Sequence, residues 1–551
     1  MFVDARSVSE GTTVEYEICI IGAGAAGITL AREFSGQEFR VCLLESGGLE
    51  FDRATQSLYE GKNTGPVEIE LYFERMRYFG GTTNLWTGAC RPLDEEDFEE
   101  RDWVPNSGWP FRRSELEPYY ERAHQLYQLG PFNYDIDAWN SRDENCLIPF
   151  NNGRLVTKFV QFVPTQPDDL RRFGKVYRND IQSSPNITTY LYANVTNLLQ
   201  STDGTHVTKV IIHTLSGNKW SISARIFILA TGAIENARLL LISNDTQSAG
   251  IGNSYDLVGR YFMAHLHLDA GIFVPSPGTS MQYFQRNSYD PDSGQRNNPD
   301  FNYDNGKCRR ETINWGGETF PLLALSEELR RQYKLINFTA ALEALPSGVE
   351  SLHELAQSIR DHRVPDALLT HLGRILADSG DVAGAIYAKL RGEEPKLVRA
   401  YRLTNASETV PNSNSRITLS NETDQFNCNR VVLNWALSPI DTEGLQRGYE
   451  ILGQELGRSG LGRIKTSIRT EFRSKILHEG AYWSQHHHMG TTRMNLDPNK
   501  GVVNANCMVH GVSNLFIAGS SVFPTSSSAA PTLTIVALAV RLADYIKREM
   551  T

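Results

Sequence analysis

The amino-acid sequence predicts an α/β protein of two domains, in which a Rossmann-like dinucleotide-binding domain is interrupted by a second domain. A chain of 551 residues is too long for one ordinary hydrophobic core, which favours two domains. The pattern strand, glycine-rich turn, helix, strand runs from Glu17 to Leu44. Two later apolar runs, Ala224–Ala230 and Leu515–Ala518, also lead into glycine. Because these stretches lie far apart in the chain, the dinucleotide-binding domain is predicted to be discontinuous.

Composition and charge restrict the possible partners. With 40% hydrophobic and 10% aromatic residues the chain is typical of a folded enzyme. Its net charge of −10 offers no basic stripe for nucleic acid or anionic lipid. No stretch approaches the roughly 20 apolar residues that span a bilayer, and the N-terminus lacks the pattern of a secretory leader. Seven widely spaced cysteines without a CxxC pair favour a reducing compartment. We therefore expect a cytoplasmic protein that binds neither nucleic acid nor membrane.

The first motif that carries chemistry is the glycine turn between the first strand and helix. Gly22 permits the tight turn, Gly24 lets the backbone approach a pyrophosphate, and Gly27 lets helix and strand pack closely. The helix N-terminus then stabilises the phosphate charge. Glu45 follows at the end of the next strand, where a carboxylate accepts hydrogen bonds from ribose hydroxyls. A dinucleotide site is predicted, but this motif does not separate FAD from NAD.

A second segment, Arg77–Gly88, is not expected in a simple NAD domain. It carries a glycine pair and three threonines around Trp86. Such a loop suits close backbone approach to a planar ligand. A tight loop whose tryptophan belongs to the core is the open alternative.

The third feature is a run of three histidines, His486, His487 and His488. A metal site is disfavoured because neighbouring side chains diverge and no spaced ligand partner is evident. An imidazole is well suited to remove a hydroxyl proton. A solvated histidine cluster remains the alternative.

The last feature is the small-residue segment from Gly519 to Thr534, which leads into a long helix opened by Pro531. The N–H groups and partial positive charge at such a helix start suit the electron-rich edge of a flavin. Between the motifs, residues 276–308 are rich in Asn, Asp, Gly and Ser, which predicts a long loop or lid.

Taken together, these segments resemble the glucose–methanol–choline (GMC) oxidoreductase family, in matching order across nearly the whole chain. Ala230-Thr231-Gly232, Asp256–Met263 and Gly501–Leu515 extend the resemblance. It implies FAD as cofactor, a substrate domain on an antiparallel sheet, and oxidation of alcohols or sugars. The branch that the chain most resembles contains pyranose-oxidase-like and glycoside-oxidising enzymes.

The resemblance also implies domain boundaries. The FAD-binding domain is expected to comprise residues 1–125, 185–270 and 475–551. The substrate-binding domain, of α+β type, is expected to comprise residues 126–184 and 271–474.

Site residues follow from the resemblance position by position. His487, three residues before Gly490, matches the catalytic histidine, which takes the hydroxyl proton while hydride leaves the same carbon for flavin N5. No metal is implied. The positions expected to bind the cofactor are Gly22, Gly24, Gly27, Glu45, Gly81, Thr82, Asn84, Trp86, Thr87, Val195, Thr231, Gly232, Gly519, Ser520, Pro531 and Thr532.

Two positions depart from the family pattern. Leu85 stands where some members use a histidine to attach FAD, so FAD is expected to bind non-covalently. Ala530 stands where the second active-site residue, His or Asn, is usual, and an apolar side chain cannot hydrogen-bond the substrate oxygen. Ser528 is the candidate that compensates for it.

The sequence thus predicts an FAD-dependent enzyme that removes hydride from a CH–OH group of a sugar, glycoside or hydroxylated natural product. Its partners are expected to be this small molecule and oxygen or another electron acceptor. Ala530 favours the first alternative, a non-redox lyase or isomerase that keeps FAD structurally. The second alternative is a flavoprotein whose flavin never turns over.

Overall fold

The structure of the chain is a computed structural model. It describes residues 1–67, 69–136, 150, 152–165, 168–279, 319–345, 351–352, 355, 368–377, 379–391, 400–468 and 487–550.

The described residues form strands and α-helices, besides short 3-10 helices. The strands are β1 (Phe2–Asp4), β2 (Thr13–Ile21), β3 (Val41–Leu44), β4 (Lys62–Asn63), β5 (Ala89–Cys90), β6 (Leu155–Phe162), β7 (Ile187–Leu191), β8 (Asn194–Gln200), β9 (Val207–His213), β10 (Lys219–Leu229), β11 (Leu266–Pro275), β12 (Thr319–Leu325), β13 (Phe338–Ala344), β14 (Tyr401–Ser407), β15 (Arg416–Thr423), β16 (Asn429–Asn434), β17 (Gly462–Thr466) and β18 (Leu515–Ile517). The α-helices are α1 (Ala25–Phe34), α2 (Arg53–Gln56), α3 (Glu117–Tyr127), α4 (Phe173–Val176), α5 (Arg178–Ser183), α6 (Gly232–Ile242), α7 (Glu327–Tyr333), α8 (Leu368–Ala377), α9 (Ser379–Leu390), α10 (Pro439–Arg458) and α11 (Thr532–Met550).

The first layer is a parallel sheet. Its six parallel strands lie in the order β1-β7-β3-β2-β10-β18. The first half of β10 also pairs with β9, which runs antiparallel to it, and β9 pairs in turn with β8. All four residues of β3 and the last four of β2 are buried, as expected for strands covered on both faces. Helix α1 packs against α11, and α11 against α3, so one hydrophobic core contains both ends of the chain.

The second layer is an antiparallel sheet in the order β17-β11-β14-β13-β12-β6-β5. Burial alternates strictly along β6, which is the pattern of a strand with two different faces. One face carries the apolar residues of a second core, against which α10 packs. A capping box of Ser438 and Asp441 begins α10, and Pro439 occupies its first turn. A small third sheet has the order β15-β16-β4, and its apolar residues join the first core beside α6.

The predicted fold class is confirmed, because a parallel α/β layer and a separate antiparallel sheet are both present. Helix α1 begins at Ala25, directly after Gly24. The backbone N–H of Ile535 donates to the carbonyl of Pro531, 2.9 Å away, so this proline opens α11 as predicted. Within the described ranges, no helix has both the length and the apolarity needed to cross a membrane.

The predicted domain boundaries remain a prediction. Strand β5 lies in the stretch 1–125, which is predicted to belong to the FAD-binding domain. In the structure it is an edge strand of the antiparallel sheet. Of the predicted loop 276–308, residues 280–308 fall outside the described part of the chain.

Candidate active site

A cavity of about 1370 Å³ lies between the glycine turn and the antiparallel sheet. This exceeds the roughly 300–1,000 Å³ of a usual small-molecule pocket, so it has room for a dinucleotide and a substrate together. The predicted site residues from both ends of the chain line it, except Gly27 and Asn84. Gly27 instead packs behind the turn, where an added Cβ would lie 1.8 Å from the carbonyl oxygen of Gly22. The side chain of Asn84 donates to the carbonyl of Phe79 at 3.1 Å.

The glycine turn has the shape that a pyrophosphate requires. Gly22 has a φ of +103°, and a Cβ there would lie 2.6 Å from the carbonyl oxygen of Ala230. Gly24 differs, because no atom lies within 4 Å of its Cβ position and the residue lines the cavity. A side chain at residue 24 would fill the space above the N-terminus of α1, where the backbone N–H groups favour an anion. The turn therefore fits a dinucleotide phosphate.

Glu45 is buried beside this turn, only 5% exposed. Its carboxylate accepts hydrogen bonds from the backbone N–H of Ala23 at 3.0 Å and of Gly47 at 2.9 Å. Burial raises the pKa of Glu45, while these two backbone bonds and the nearby Arg77 act in the opposite direction. Glu45 thus braces the glycine turn, a role that sequence reasoning missed, and it also faces the cavity where a ribose would lie.

The segment Arg77–Gly88 lies directly against the glycine turn. Gly81 has a φ of +54°, and a Cβ there would lie 2.9 Å from the Cα of Gly24. Trp86 both lines the cavity and donates from its indole nitrogen to the carbonyl of Arg171 at 2.7 Å. The tryptophan is therefore half-buried at the cavity wall rather than wholly in the core. Leu85 also lines the cavity, and its side chain is 45% exposed.

A buried ion network stands at another part of the cavity wall. Glu235, at the first turn of α6, lies 2.9 Å from Arg75, 3.4 Å from Arg77 and 3.4 Å from Arg238. Although burial raises the pKa of Glu235, these guanidinium groups lower it to about 2. Arg238 also pairs with Asp424 at 2.6 Å. Sequence reasoning missed this network, and only the Ala230-Thr231-Gly232 junction before α6 pointed to it.

His487 lines the cavity. Its Nδ1 lies 2.9 Å from Nδ1 of His265, and the two rings are nearly perpendicular, with centroids 4.8 Å apart. Nε2 of His265 lies 3.0 Å from the carbonyl oxygen of Ser526. His265 is fully buried, directly before β11. Sequence reasoning missed His265, although the motif Asp256–Met263 ends two residues before it.

The neighbouring histidines behave differently. His488 is buried, and its Nε2 lies 3.0 Å from a carboxylate oxygen of Glu74. Its backbone carbonyl accepts a hydrogen bond from the hydroxyl of Ser520 at 2.6 Å. His486 lies outside the described residues. Among the described residues, no group of three or more His, Cys, Asp or Glu side chains is arranged to hold a metal.

Ser528 and Ala530 both line the cavity, next to the start of α11. The hydroxyl of Ser528 donates to Oδ1 of Asn337 at 3.2 Å. Asn337 is oriented by its own donors, which bond Asp94 at 3.0 Å and Asp97 at 3.1 Å. Because its one proton is directed to Asn337, Ser528 presents only acceptor lone pairs elsewhere. It does not replace the donor that Asn or His would supply at residue 530.

The antiparallel sheet forms the opposite wall of the cavity, and that wall has two chemical halves. Val160 and Phe320 lie opposite each other on β6 and β12. Thr339 and Ala406 lie opposite each other on β13 and β14, and Ala406 lies opposite His267 on β11. The lining residues of β6 and β12 are Val160, Phe162, Phe320 and Leu322, and those of β13, β14 and β11 are Thr339, Ala341, Glu343, Thr404, Ala406 and His267. The wall is thus apolar over the first two strands and mostly polar over the other three.

Comparison with known proteins agrees with this site. Residues 411–539 match the family model described as GMC oxidoreductase. The chain is 22% identical over 585 residues to 6'''-hydroxyparomomycin C oxidase of Streptomyces lividus, covering 96% of this chain and 91% of that protein. It is 39% identical over 110 residues to C-glycoside 3-oxidase of Arthrobacter globiformis, covering 19% of this chain and 20% of that protein.

A solved structure extends the likeness to the whole fold. The crystal structure of pyridoxine 4-oxidase from Mesorbium loti superposes with a TM-score of 0.52 at 16% identity, covering 97% of this chain and 99% of that chain. The stretch that matches the family model contains three residues of the cavity wall, His487, Ser528 and Ala530. The chain is therefore similar to the glucose–methanol–choline oxidoreductases, whose family model its residues 411–539 match, and it is an FAD-dependent enzyme.

Proposed function

We propose that the enzyme oxidises a CH–OH group of a sugar, glycoside or hydroxylated natural product, with His487 as the base. The observation that supports this best is the position of His487, at the cavity wall with Nδ1 bonded to His265. An imidazole held in this way by one nitrogen presents the other to a ligand in the cavity.

The proton is handled by His487 alone. When bound, FAD supplies an acceptor for the hydrogen that leaves carbon together with both electrons of the C–H bond. His487 takes the proton of the hydroxyl on the same carbon, and the C–O bond becomes C=O. The hydroxyl compound thus loses one hydride, which carries two electrons, and one proton. It becomes a carbonyl compound. A positioned general base contributes about 10²–10⁴-fold to such a step.

Holding the cofactor is assigned to other residues that line the cavity. The turn at Gly22 and Gly24 would receive the pyrophosphate, and Glu45 the adenosine ribose. The backbone at Val195 would contact adenine. The N-terminus of α11, at Thr532, would lie against the electron-rich edge of the flavin. All five residues line the cavity.

The two-sided wall of the antiparallel sheet supports a substrate with two chemical halves. The hydroxylated part would lie over β13, β14 and β11, where Thr339, Thr404 and Glu343 offer hydrogen-bonding groups. An apolar part would lie over β6 and β12. A glycoside has this composition, in line with the similarity of this chain to a C-glycoside 3-oxidase and with the glycoside-oxidising branch of the family.

Ala530 favours a substrate that is bulky at the reacting carbon. It leaves volume where Asn or His would stand, and Ser528 supplies no donor in compensation. The substrate oxygen would then be held through His487.

One experiment tests this function. The holoenzyme is mixed without oxygen with a panel of small alcohols, free sugars and apolar glycosides, and the flavin absorbance and the carbonyl product are measured. We expect bleaching of the flavin by a glycoside, with one carbonyl formed per flavin. Turnover of a substrate without bleaching would instead favour a lyase or isomerase. An intact flavin that no compound bleaches or transforms would favour a flavoprotein without turnover.

A further inference from the structure

His265 lies behind His487 in the protein interior, 222 positions earlier in the chain. It is fully buried, and it connects two parts of the site: the imidazole of His487 at 2.9 Å and the carbonyl of Ser526 at 3.0 Å. That carbonyl is itself fixed, because the hydroxyl of Ser526 bonds the backbone N–H and carbonyl of Thr409. The imidazole of His265 is therefore held on both sides by ordered groups.

The direction of these hydrogen bonds follows from elementary chemistry. A backbone carbonyl only accepts, so Nε2 of His265 carries a proton and donates to Ser526. A neutral imidazole protonated on Nε2 has its lone pair on Nδ1. The proton in the 2.9 Å contact between the two rings therefore belongs to Nδ1 of His487. The lone pair of His487 is then on Nε2.

We propose that His265 is a positioning residue that holds His487 in the tautomer protonated on Nδ1. It makes Nε2 of His487 the atom that takes the proton of the substrate hydroxyl, and it fixes the rotation of the ring. Once His487 has taken that proton, its bond to His265 becomes charge-assisted and stronger, which stabilises the charged product state. Because His265 acts through His487, this role stands only if His487 is the base, as proposed above.

Two substitutions separate the two contacts of His265. In His265→Asn the amide oxygen comes near the former position of Nδ1, where it accepts from His487, while the bond to Ser526 is lost. In His265→Gln the longer side chain reaches the former position of Nε2, where it donates to Ser526, while the bond to His487 is lost. A positioning role predicts that asparagine rescues catalysis and glutamine does not.

The readout is steady-state turnover of the FAD-loaded enzyme with the best substrate of the panel, together with its flavin content. We expect His265→Gln to lower kcat by about 10–100-fold, as for loss of a group that orients a catalytic ligand, with KM changed by less than about twofold. His265→Asn is expected to lower kcat by less than about fivefold. His124→Gln is the matched control, since His124 is also buried and also bonds a backbone carbonyl, that of Gly130 at 3.1 Å.

Several results would overturn the proposal. One is a His265→Gln enzyme with the kcat of the wild type. Another is a His265→Asn enzyme that is slower than His265→Gln, which would mean that the bond to Ser526 matters and the role is structural.

A measurement on the unsubstituted holoenzyme is independent of how the variants fold. Nitrogen NMR of ¹⁵N-histidine-labelled protein, with His487→Ala for assignment, is expected to show His487 protonated on Nδ1. Protonation on Nε2 instead would refute the proposal. The tautomer of His487 thus tests the role of His265 without testing the reaction, whereas full turnover by His487→Ala would refute the function itself.

Discussion

Replacing Glu45 by alanine removes the brace of the glycine turn. The carboxylate accepts from the buried N–H groups of Ala23 and Gly47, at 3.0 and 2.9 Å. Each buried donor left without a partner costs about 1–3 kcal/mol, so the two together cost about 2–6 kcal/mol. Burial of the carboxylate raises the pKa of Glu45, so the cost of removing its charge from water offsets part of the stabilisation that the two hydrogen bonds provide. We therefore expect the lower half of that range for loss of folding free energy.

The cofactor should respond as well, because the turn and the ribose contact are both weakened. We expect the Kd for FAD to rise roughly 5–150-fold, which corresponds to about 1–3 kcal/mol. The assays are urea unfolding of the apoprotein, followed by circular dichroism, and titration with FAD, followed by fluorescence. Glu45→Gln should be intermediate, since its amide oxygen accepts only from one of the two N–H groups. Glu38→Ala, at an exposed position after α1, is the control. Wild-type unfolding and wild-type FAD affinity in Glu45→Ala would refute the reasoning.

Three further outcomes are expected. Acid precipitation should release FAD into the supernatant, because the aliphatic Leu85 forms no bond to the flavin; flavin in the protein pellet would contradict non-covalent binding. Ala530→Asn should lower kcat/KM for bulky glycosides by crowding and raise it for small alcohols by roughly 2–12-fold, the equivalent of one hydrogen bond of about 0.5–1.5 kcal/mol; an equal gain for every substrate would count against it. Burial raises the pKa of Asp441 from 3.8 to about 6. The folded state therefore binds the proton of Asp441 more tightly than the unfolded state does. The contribution of Asp441 to the free energy of unfolding is present in full below pH 4 and is lost as the pH rises through 6, by up to about 3 kcal/mol. Because the amide of Asp441→Asn does not titrate, the urea midpoint of the wild type should fall relative to that of the variant as the pH rises from 4 to above 6, and a constant difference would disprove the assignment.

The sequence predicted best those parts of the site that depend on neighbouring residues. The geometry of the turn at Gly22–Gly27 is set by backbone torsions and by contacts within one strand–turn–helix unit, so the spacing of the glycines was enough. The start of α11 was also predictable from local sequence, because proline fixes its own φ angle. Proline has no N–H, and the first turn of a helix leaves that group without a helical partner in any case. The roles assigned to these residues in binding FAD stay predictions.

Contacts between distant segments escaped prediction. His265 and His487 are 222 residues apart, and no periodic pattern connects a residue before β11 with one in the loop before β18. The ion network around Glu235 joins residues separated by 160 positions in the same way. The direction in which the Ser528 hydroxyl donates depends on where the folded chain brings Asn337. Such contacts form only when distant segments of the folded chain pack together. The sequence therefore shows which residues are present but not which residues they contact.

The central claim is that His487 is the base, and the rate of anaerobic flavin bleaching by the best substrate tests it most directly. We expect His487→Ala to retain bound FAD and to be bleached more slowly by at least about 10²–10⁴-fold. Added imidazole should restore part of that rate. His510→Ala serves as the control, because this histidine bonds the carbonyl of Asn495 at 2.9 Å and lies elsewhere in the fold. Bleaching of His487→Ala at the rate of the wild type would contradict the proposed mechanism.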